Sequence, residues 1–259
     1  MMQIWALKPQ HVMAVWYRNF LVWRKLMVAS LLGNFGDPFL YLLGLGFGLG
    51  LYIGDMDGIP YMAYLASGIL CSSAMNTATF EGLYSAFTRM THQGTWEGIL
   101  ATPVRVQEVI AGELVWAASK SLISGTAILL VAGLLGGVQD WSTAWMAVPV
   151  VFLIGLAFAG PALVVCAIAP SYDFFMYYFT LAITPMFLFC GVFYPIDSLP
   201  EYVQLFAQGL PLTHAVQLIR PLLTELPLVN PALHVAVLLL YAVVGYGVAA
   251  KLAARKMLR

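Results

Sequence analysis

Charged residues are scarce in this sequence. Asp, Glu, Lys and Arg make up 9% of its residues, whereas they make up about 25% of a typical soluble domain. Because 61% of the residues are hydrophobic, too few ionised groups remain to cover a water-facing surface, and a soluble enzyme is excluded. Basic residues do not outnumber acidic ones, and the formal net charge is zero. The composition therefore gives no reason to expect a nucleic-acid partner.

The sequence also lacks the motifs of common catalytic and nucleotide-binding sites. It has no GxxxxGKS or GxxxxGKT loop, and the dipeptide Gly-Lys does not occur, so the chain does not bind and hydrolyse ATP by that route. Neither HExxH nor GxSxG is present. The four His are scattered, and the three Cys fall in apolar stretches typical of buried thiols. We therefore expect no catalytic residue, no metal site and no cofactor on this chain.

Long apolar stretches with few charges fill most of the sequence. A helix of roughly 20 apolar residues crosses the hydrocarbon core of a bilayer. The stretches lack the polar–apolar alternation of barrel strands, so helices are favoured. We predict an all-α integral membrane protein, residues 1–259 forming a single domain with six transmembrane helices. The predicted spans are 26–54, 58–89, 105–138, 141–170, 172–194 and 229–252.

The positions of the basic residues predict the orientation. Lys and Arg precede the first span, flank the loop 90–104 and follow the last span. The opposite loops carry mostly Asp and Glu, with Arg220 as their only basic residue. By the positive-inside rule, both termini and the loop 90–104 lie in the cytoplasm. We therefore expect a multi-pass protein of a bacterial inner membrane.

Two segments outside the spans are predicted to lie at the membrane surface. Residues 1–25 favour an amphipathic interfacial helix, with Arg18 and Arg24 reaching towards water; a plain extension of the first span is the alternative. Its apolar face carries Val12, Val15, Trp16, Phe20 and Trp23. Residues 195–228 contain apolar pieces separated by Pro, which predicts short re-entrant helices on the extracytoplasmic side.

Charged residues within the apolar stretches of the predicted spans include Asp37, Glu81, Glu113 and Lys120. Burying one costs at least about 2.5–3.5 kcal/mol on insertion scales, so each needs a partner or a wet cavity. Asp37 precedes Pro38, where we expect the helix to break or kink and the carboxylate to cap freed amides. Glu113 and Lys120 are seven residues apart and share a helix face. A structural ion network and a polar path for a substrate headgroup are both compatible with this pattern.

The stretch 89–114, RMTHQGTWEGILATPVRVQEVIAGEL, resembles the cytoplasmic loop of the ABC-2 class of exporter permeases, which often reads GTxExLLxTP. The matching residues are Gly94, Thr95, Glu97, Leu100, Thr102 and Pro103. In that class the loop forms a coupling helix that docks on a separate ATPase subunit. The resemblance therefore implies an ATPase-coupling role for these residues and for Trp96 between them.

The stretch 191–223 resembles the outer segment of the same class, where a Gly-x-x-x-Pro turn, a Leu-Pro, a Leu-Pro-Leu-Thr-His and a late Arg-Pro follow in order. The matching residues are Gly191, Pro195, Leu199, Pro200, Leu210, Pro211, His214 and Arg220. Within the class, nearly the whole chain is similar to the nodulation-protein J permeases, as in TWEGIL (95–100), GELVWAASK (112–120) and APSYDF (169–174).

This resemblance implies a homodimeric half-transporter with two bound ATPase subunits, which carry the ATP and Mg. The implied cargo is a lipo-chitooligosaccharide, a short sugar chain with an acyl tail, which is exported from the cytoplasm or the inner leaflet. Membrane lipid is a further implied partner of the chain. Export of a drug or another hydrophobic molecule is the alternative. A membrane transferase for lipid-linked sugar would need an ionisable cluster at a membrane face, and a non-transporting scaffold would need no docking helix.

Overall fold

A computed structural model describes residues 7–257, except for the side chains of Leu31, Asn34 and Phe35. Ten helices of this described part carry the fold. In chain order they are α1 (Pro9–Lys25), α2 (Met27–Tyr41), α3 (Tyr61–Phe80), α4 (Thr95–Leu100), α5 (Val106–Leu134), α6 (Ala147–Ile168), α7 (Phe174–Phe189), α8 (Glu201–Gln208), α9 (Pro211–Leu223) and α10 (Pro231–Met257). The strands Asp55–Met56 and Ile59–Pro60 pair as a small antiparallel hairpin between α2 and α3.

Shorter helical pieces extend or join these helices. Wide π-helical turns, Glu81–Ser85 and Thr88–His92, continue α3 towards α4, and another, Leu42–Phe47, continues α2 towards the short helix Gly50–Ile53. The remaining pieces are a single turn before α6 (Trp141–Ala144) and a 3-10 turn before α8 (Ile196–Ser198). The fold is thus helical almost throughout its described residues.

Four helical stretches are long and apolar enough to cross a membrane: Gly36–Ile53, Val106–Leu134, Ala147–Ile168 and Pro231–Met257. Helix α7 is apolar but shorter. Helix α3 has 20 residues before its π-helical turns, but several Ser and Thr and one Asn lower its hydropathy. An all-helical membrane protein is therefore confirmed, whereas the six-span assignment stays a prediction.

The helix that begins at Pro9 packs along α5. Proline is favoured at a helix start because the first N–H groups have no partner within the helix. Val15 is buried against Gly112 of α5, and the rings of Trp16 and Trp23 lie 6.3 and 5.9 Å from Trp116. The predicted apolar face of α1 is thus directed at α5. Residues 1–6 of the predicted interfacial segment lie outside the described residues, and contact with the membrane surface stays a prediction.

Of the break or kink expected at Pro38, the break does not occur, and a kink there stays a prediction. Helix α2 continues past Pro38 to Tyr41, and the backbone then widens into the π-helical turn Leu42–Phe47. Such local adjustments let apolar helices tolerate proline. Asp37 makes no side-chain hydrogen bond to any described residue, so the expected capping of freed amides is wrong as well.

Close contacts between small residues bring the long helices together. Helix α6 packs on α10, α5 and α3. A Cβ added to Gly245 of α10 would lie 2.6 Å from the backbone of Gly160, and one added to Gly155 would lie 2.7 Å from Ala118. Helix backbones in membranes approach this closely where side chains are small. These contacts hold α6 at the centre of the molecule.

In the outer segment, prolines mark helix starts. Pro200 immediately precedes α8, and Pro211 is the first residue of α9. Helix α9 is buried along most of its length and packs on α3, α6 and α10. The segment 195–228 is therefore a pair of short helices folded onto the bundle.

Replacing Gly112 with Leu should loosen α1 from α5. A Cβ there would lie 2.6 Å from the Cβ of Val15, and overpacking of this kind costs about 1–3 kcal/mol. We expect faster proteolysis of α1 and a lower unfolding temperature in detergent. Gly48→Leu is the matched control, since a Cβ at Gly48 has no neighbour within 4 Å. Equal behaviour of the two variants would contradict the assigned packing of α1.

Candidate functional site

Four charged side chains meet where α3 ends and α5 passes beside it. We call Glu81, Arg89, Glu113 and Lys120 the charge cluster. Arg89 donates from Nη2 to Glu81 Oε1 at 2.8 Å and from Nε to Glu113 Oε1 at 2.9 Å. Lys120 Nζ lies 2.8 Å from Glu81 Oε2. Arg89 thus joins the two carboxylates, and Lys120 completes the charge balance with two positive and two negative groups.

The charge cluster is buried. Glu81 and Glu113 are 3% and 2% exposed, and Arg89 is 9% exposed. Taking an ion out of water costs several kcal/mol, so buried charges persist only with close partners of opposite sign. The widened backbone of the π-helical turns brings Glu81 and Arg89, eight residues apart, to one carboxylate–guanidinium contact. Such turns are frequent at functional sites.

Three neutral side chains complete the hydrogen bonding of the carboxylates. The indole N–H of Trp96 donates to Glu113 at 3.1 Å, and that of Trp116 donates to Glu81 at 2.8 Å. Asn19 of α1 donates its amide to Glu113 at 3.1 Å. The charge cluster therefore connects four elements, α1, the extended end of α3, α4 and α5, through side chains that all point inwards.

The short helix α4 has an inner and an outer side. Its first residue follows Gly94, which has φ of +59°, a conformation that favours glycine. Trp96 is 1% exposed and faces the charge cluster, whereas Glu97, Thr102 and Pro103 are exposed. The helix is thus fixed from inside by Trp96 and presents the other residues outwards.

The remaining residues of the predicted coupling motif sit between these two sides. Leu100 and Thr95 are half-buried. Thr95 accepts a hydrogen bond from Arg18 of α1 at 3.2 Å, and Thr102 caps its own turn by donating to the carbonyl of Ile99 at 2.6 Å. Helix α4 is therefore tied to α1 as well as to the charge cluster.

Asp37 lies apart from the other three charges predicted within spans. It borders a cavity of about 250 Å³ between α2, α3 and α7, together with Asn76, Thr77 and Thr184. The structure therefore separates the four residues into the paired charges of the cluster and one unpaired carboxyl group.

A hydrogen bond joins two distant residues of the outer motif, Gly191 and Arg220. Gly191, with φ of +77°, presents its carbonyl to Arg220 at 2.6 Å. The guanidinium of Arg220 also lies 3.5 Å above the ring of Tyr64. His214 is buried and its Nδ1 lies 2.8 Å from Nδ1 of His234. Arg220 therefore ties the outer segment to α3, while Pro195, Pro200 and Pro211 bound its helical pieces.

A third buried carboxylate, Glu108, was not found from the sequence. It is fully buried and accepts hydrogen bonds from the backbone N–H groups of Lys8 and Arg105 at 3.0 and 2.9 Å. It also lies 2.7 Å from Nδ1 of His11. Glu108 is the third residue of α5, where a Glu commonly bonds back to the residue before the helix. That position in the sequence could have predicted the bond to the backbone of Arg105. No feature of the sequence indicated the contact of Glu108 with the start of α1.

The geometry of the charge cluster suits a structural connection between helices better than a catalytic role. Each carboxylate accepts hydrogen bonds from cationic and indole donors. No group of three or more metal-ligating side chains occurs among the described residues. A displacement of α4 would therefore act on α1, α3 and α5 through Trp96 and Glu113.

Comparison with known proteins identifies the class of protein. The ABC-2 type transporter family matches residues 10–224, and the chain belongs to this family. It is an ABC-2 permease, a non-enzymatic membrane subunit of an ABC transporter. No solved structure matches the chain.

The most informative relatives are nodulation proteins. The chain is 50% identical to Nodulation protein J of Bradyrhizobium diazoefficiens, covering 95% of this chain and 94% of the relative. It is 47% identical to Nodulation protein J of Rhizobium leguminosarum bv. viciae over 95% of each chain. The Inner membrane transport permease YadH of Escherichia coli is 25% identical over 74% of each chain. The predicted resemblance to the nodulation-protein J permeases is therefore confirmed.

Replacing Arg89 with Leu should destabilise the permease strongly. The change leaves two buried carboxylates with one cation, and breaking a buried ion pair costs about 3–5 kcal/mol. Lys120→Leu should cost less, because Lys120 bonds only to Glu81 within the cluster. The measurement is the unfolding temperature in detergent, with the exposed Lys251→Leu as control. Arg89→Leu unfolding at the temperature of the control would refute the energetic role of the cluster.

Proposed function

We propose that this chain is the permease half of an ATP-driven exporter for an amphipathic lipid-linked saccharide of the lipo-oligosaccharide type. Two copies form the membrane pathway, and two separate ATPase subunits bind on the cytoplasmic side and carry ATP and Mg. The similarity to Nodulation protein J over 95% of the chain supports this choice of cargo.

The observation that carries the coupling part of the proposal is the two-sided placement of α4. Glu97 of α4, and Thr102 and Pro103 just after the helix, are exposed to a partner, while Trp96 donates to buried Glu113. A rigid, internally bonded connection is what a docking helix needs in order to transmit the motion of an ATPase. The residues Gly94, Thr95 and Leu100 would shape this surface.

In the proposed topology the chain crosses the inner membrane six times and keeps both termini in the cytoplasm. Beyond the four long apolar helices, α3 and α7 would supply the second and fifth spans. Helix α3 is buried within the bundle, so neighbouring helices rather than lipid surround its polar residues. Helices α8 and α9 would re-enter the outer face.

One feature favours a second cargo class. An apolar cleft of about 670 Å³ runs between α6, α7 and α10, with α8 and α9 at its edge; five Val line it together with Tyr178, His214 and Tyr241. Pockets of this size and character accept drug-sized hydrophobic ligands. Export of a hydrophobic small molecule is therefore the alternative. The carboxylates of the charge cluster are already hydrogen-bonded to cationic and indole donors, which argues against a transferase.

Charge reversal at Glu97 should weaken ATPase binding without unfolding the permease. Glu97→Arg changes an exposed residue of α4, and charge complementarity at such rims controls association. We expect co-purification of the ATPase subunit to fall severalfold while the unfolding temperature is unchanged. Glu201→Arg makes the same reversal at an exposed residue of α8 and should leave ATPase binding intact.

Trp96→Phe should separate binding from coupling. Phe keeps most of the buried ring but cannot donate to Glu113, so ATPase binding should persist while cargo-stimulated ATP hydrolysis declines. Normal ATPase recovery by Glu97→Arg, together with full stimulation in Trp96→Phe, would exclude α4 as the coupling element.

A further inference from the structure

The cavity beside Asp37 differs from the rest of the apolar surface around it. We call it the Asp37 cavity. It has a volume of about 250 Å³ and lies between α2, α3 and α7. Its polar side chains include a carboxyl group (Asp37), an amide (Asn76) and two hydroxyls (Thr77 and Thr184). Asp37 and Thr184 are exposed in the single chain, and polar groups placed within a membrane are costly unless they meet a polar partner.

These polar groups have no partner within the described part of the chain. Asp37, Asn76, Thr77 and Thr184 take part in no side-chain hydrogen bond or ion pair there. Thr77 is only 5% exposed, Asn76 is half-buried, and Asp37 and Thr184 are exposed. The contrast with Glu81, one helical turn further along α3 and fully hydrogen-bonded, shows that this helix can satisfy buried polar groups where a contact exists.

Aromatic rings border the same cavity. Phe80 and Phe179 both line it, and their ring centroids lie 4.7 Å apart. Phe187 also lies at its edge. Aromatic faces provide broad apolar contact, and the axial C–H groups of a sugar ring pack well against such a face. The cavity therefore offers hydrogen-bonding groups and apolar ring contact side by side.

The size of the cavity limits what it can hold. At ~30 Å³ for each water molecule, it has room for about eight waters, which corresponds to a single ring rather than an entire cargo molecule. An acyl chain there would leave the polar groups unpaired at a cost of about 1–3 kcal/mol each. A sugar ring has several hydroxyls that both donate and accept, so it can satisfy a carboxyl, an amide and two hydroxyls together.

We propose that the Asp37 cavity binds one sugar ring of the saccharide cargo. Asp37 accepts from ring hydroxyls, Asn76 and Thr184 bond to neighbouring ring substituents, and Phe179 contacts the apolar ring face. The inference rests on the proposed export of a lipid-linked saccharide and assigns the position in the membrane where its sugar part is held.

The test measures cargo affinity for the assembled permease–ATPase complex in nanodiscs. The first probe is a chitin tetrasaccharide with one fatty acyl chain; the second carries the same acyl chain on phosphocholine. Asp37→Asn should weaken tetrasaccharide binding about tenfold, because hydrogen bonds to charged groups are the stronger ones. Thr184→Val should weaken it about threefold to tenfold. Phosphocholine binding should not change.

Thr180→Val is the matched control, because Thr180 is exposed on the same helix and lies outside the cavity lining. A second readout does not depend on the affinity of a damaged variant. Thr184→Cys should react with a small maleimide, and the tetrasaccharide probe should slow that reaction. The native Cys71, Cys166 and Cys190 are buried and serve as an unreactive background.

The outcomes separate this inference from the proposed function. If the wild-type complex does not bind the tetrasaccharide probe, the proposed cargo is wrong. If it binds, but Asp37→Asn and Thr184→Val bind equally well and Thr184→Cys is not protected, the cavity assignment alone is overturned. Equal losses for both probes, or an equal loss in Thr180→Val, would also overturn it, since the effect would not be specific to sugar at this cavity.

Discussion

Burial of charge in a low-dielectric interior constrains this structure more than any other interaction. Neither Glu81 nor Glu113 is tolerable alone at 2–3% exposure, so each must meet Arg89. Satisfying both carboxylates requires donors from α1, α4 and α5 at the same point. The positions of four elements are thereby coupled, although α2 and the hairpin separate α1 from α3 along the chain.

Helix α3 carries both kinds of polar environment seen in the molecule. Thr77 borders the Asp37 cavity, and Glu81 belongs to the charge cluster. Residues four apart share one face of a helix, so the Asp37 cavity and the charge cluster contact adjacent turns of the same helix. The π-helical turns begin at Glu81, where the backbone already departs from regular α geometry. In the proposed exporter, this junction connects the cargo region with the ATPase-docking helix.

The sequence predicted the helices far better than the contacts between them. Runs of apolar residues depend on local composition, which is why the all-helical membrane fold was predictable. The predicted crossing of the membrane by α3 and α7 stays a prediction, because Ser, Thr and Asn lower the hydropathy of α3 and α7 is short. Glu81, Glu113 and Lys120 were recognised because charges are rare in apolar stretches. Trp96, Asn19 and Trp116 were not assigned to them, since an indole or amide donor has no spacing rule across separate helices.

The capping interaction of Glu108 also constrains the order of events during synthesis. His11 and Glu108 are 97 residues apart in the chain, so the amino-terminal helix has no buried carboxylate to bind until α5 has been made. At about 5–20 residues per second, that interval lasts on the order of 5–20 s. Until then α1 lacks this contact, while α2 and α3 are made before α5. The association of α1 with α5 is thus delayed relative to the formation of α2 and α3.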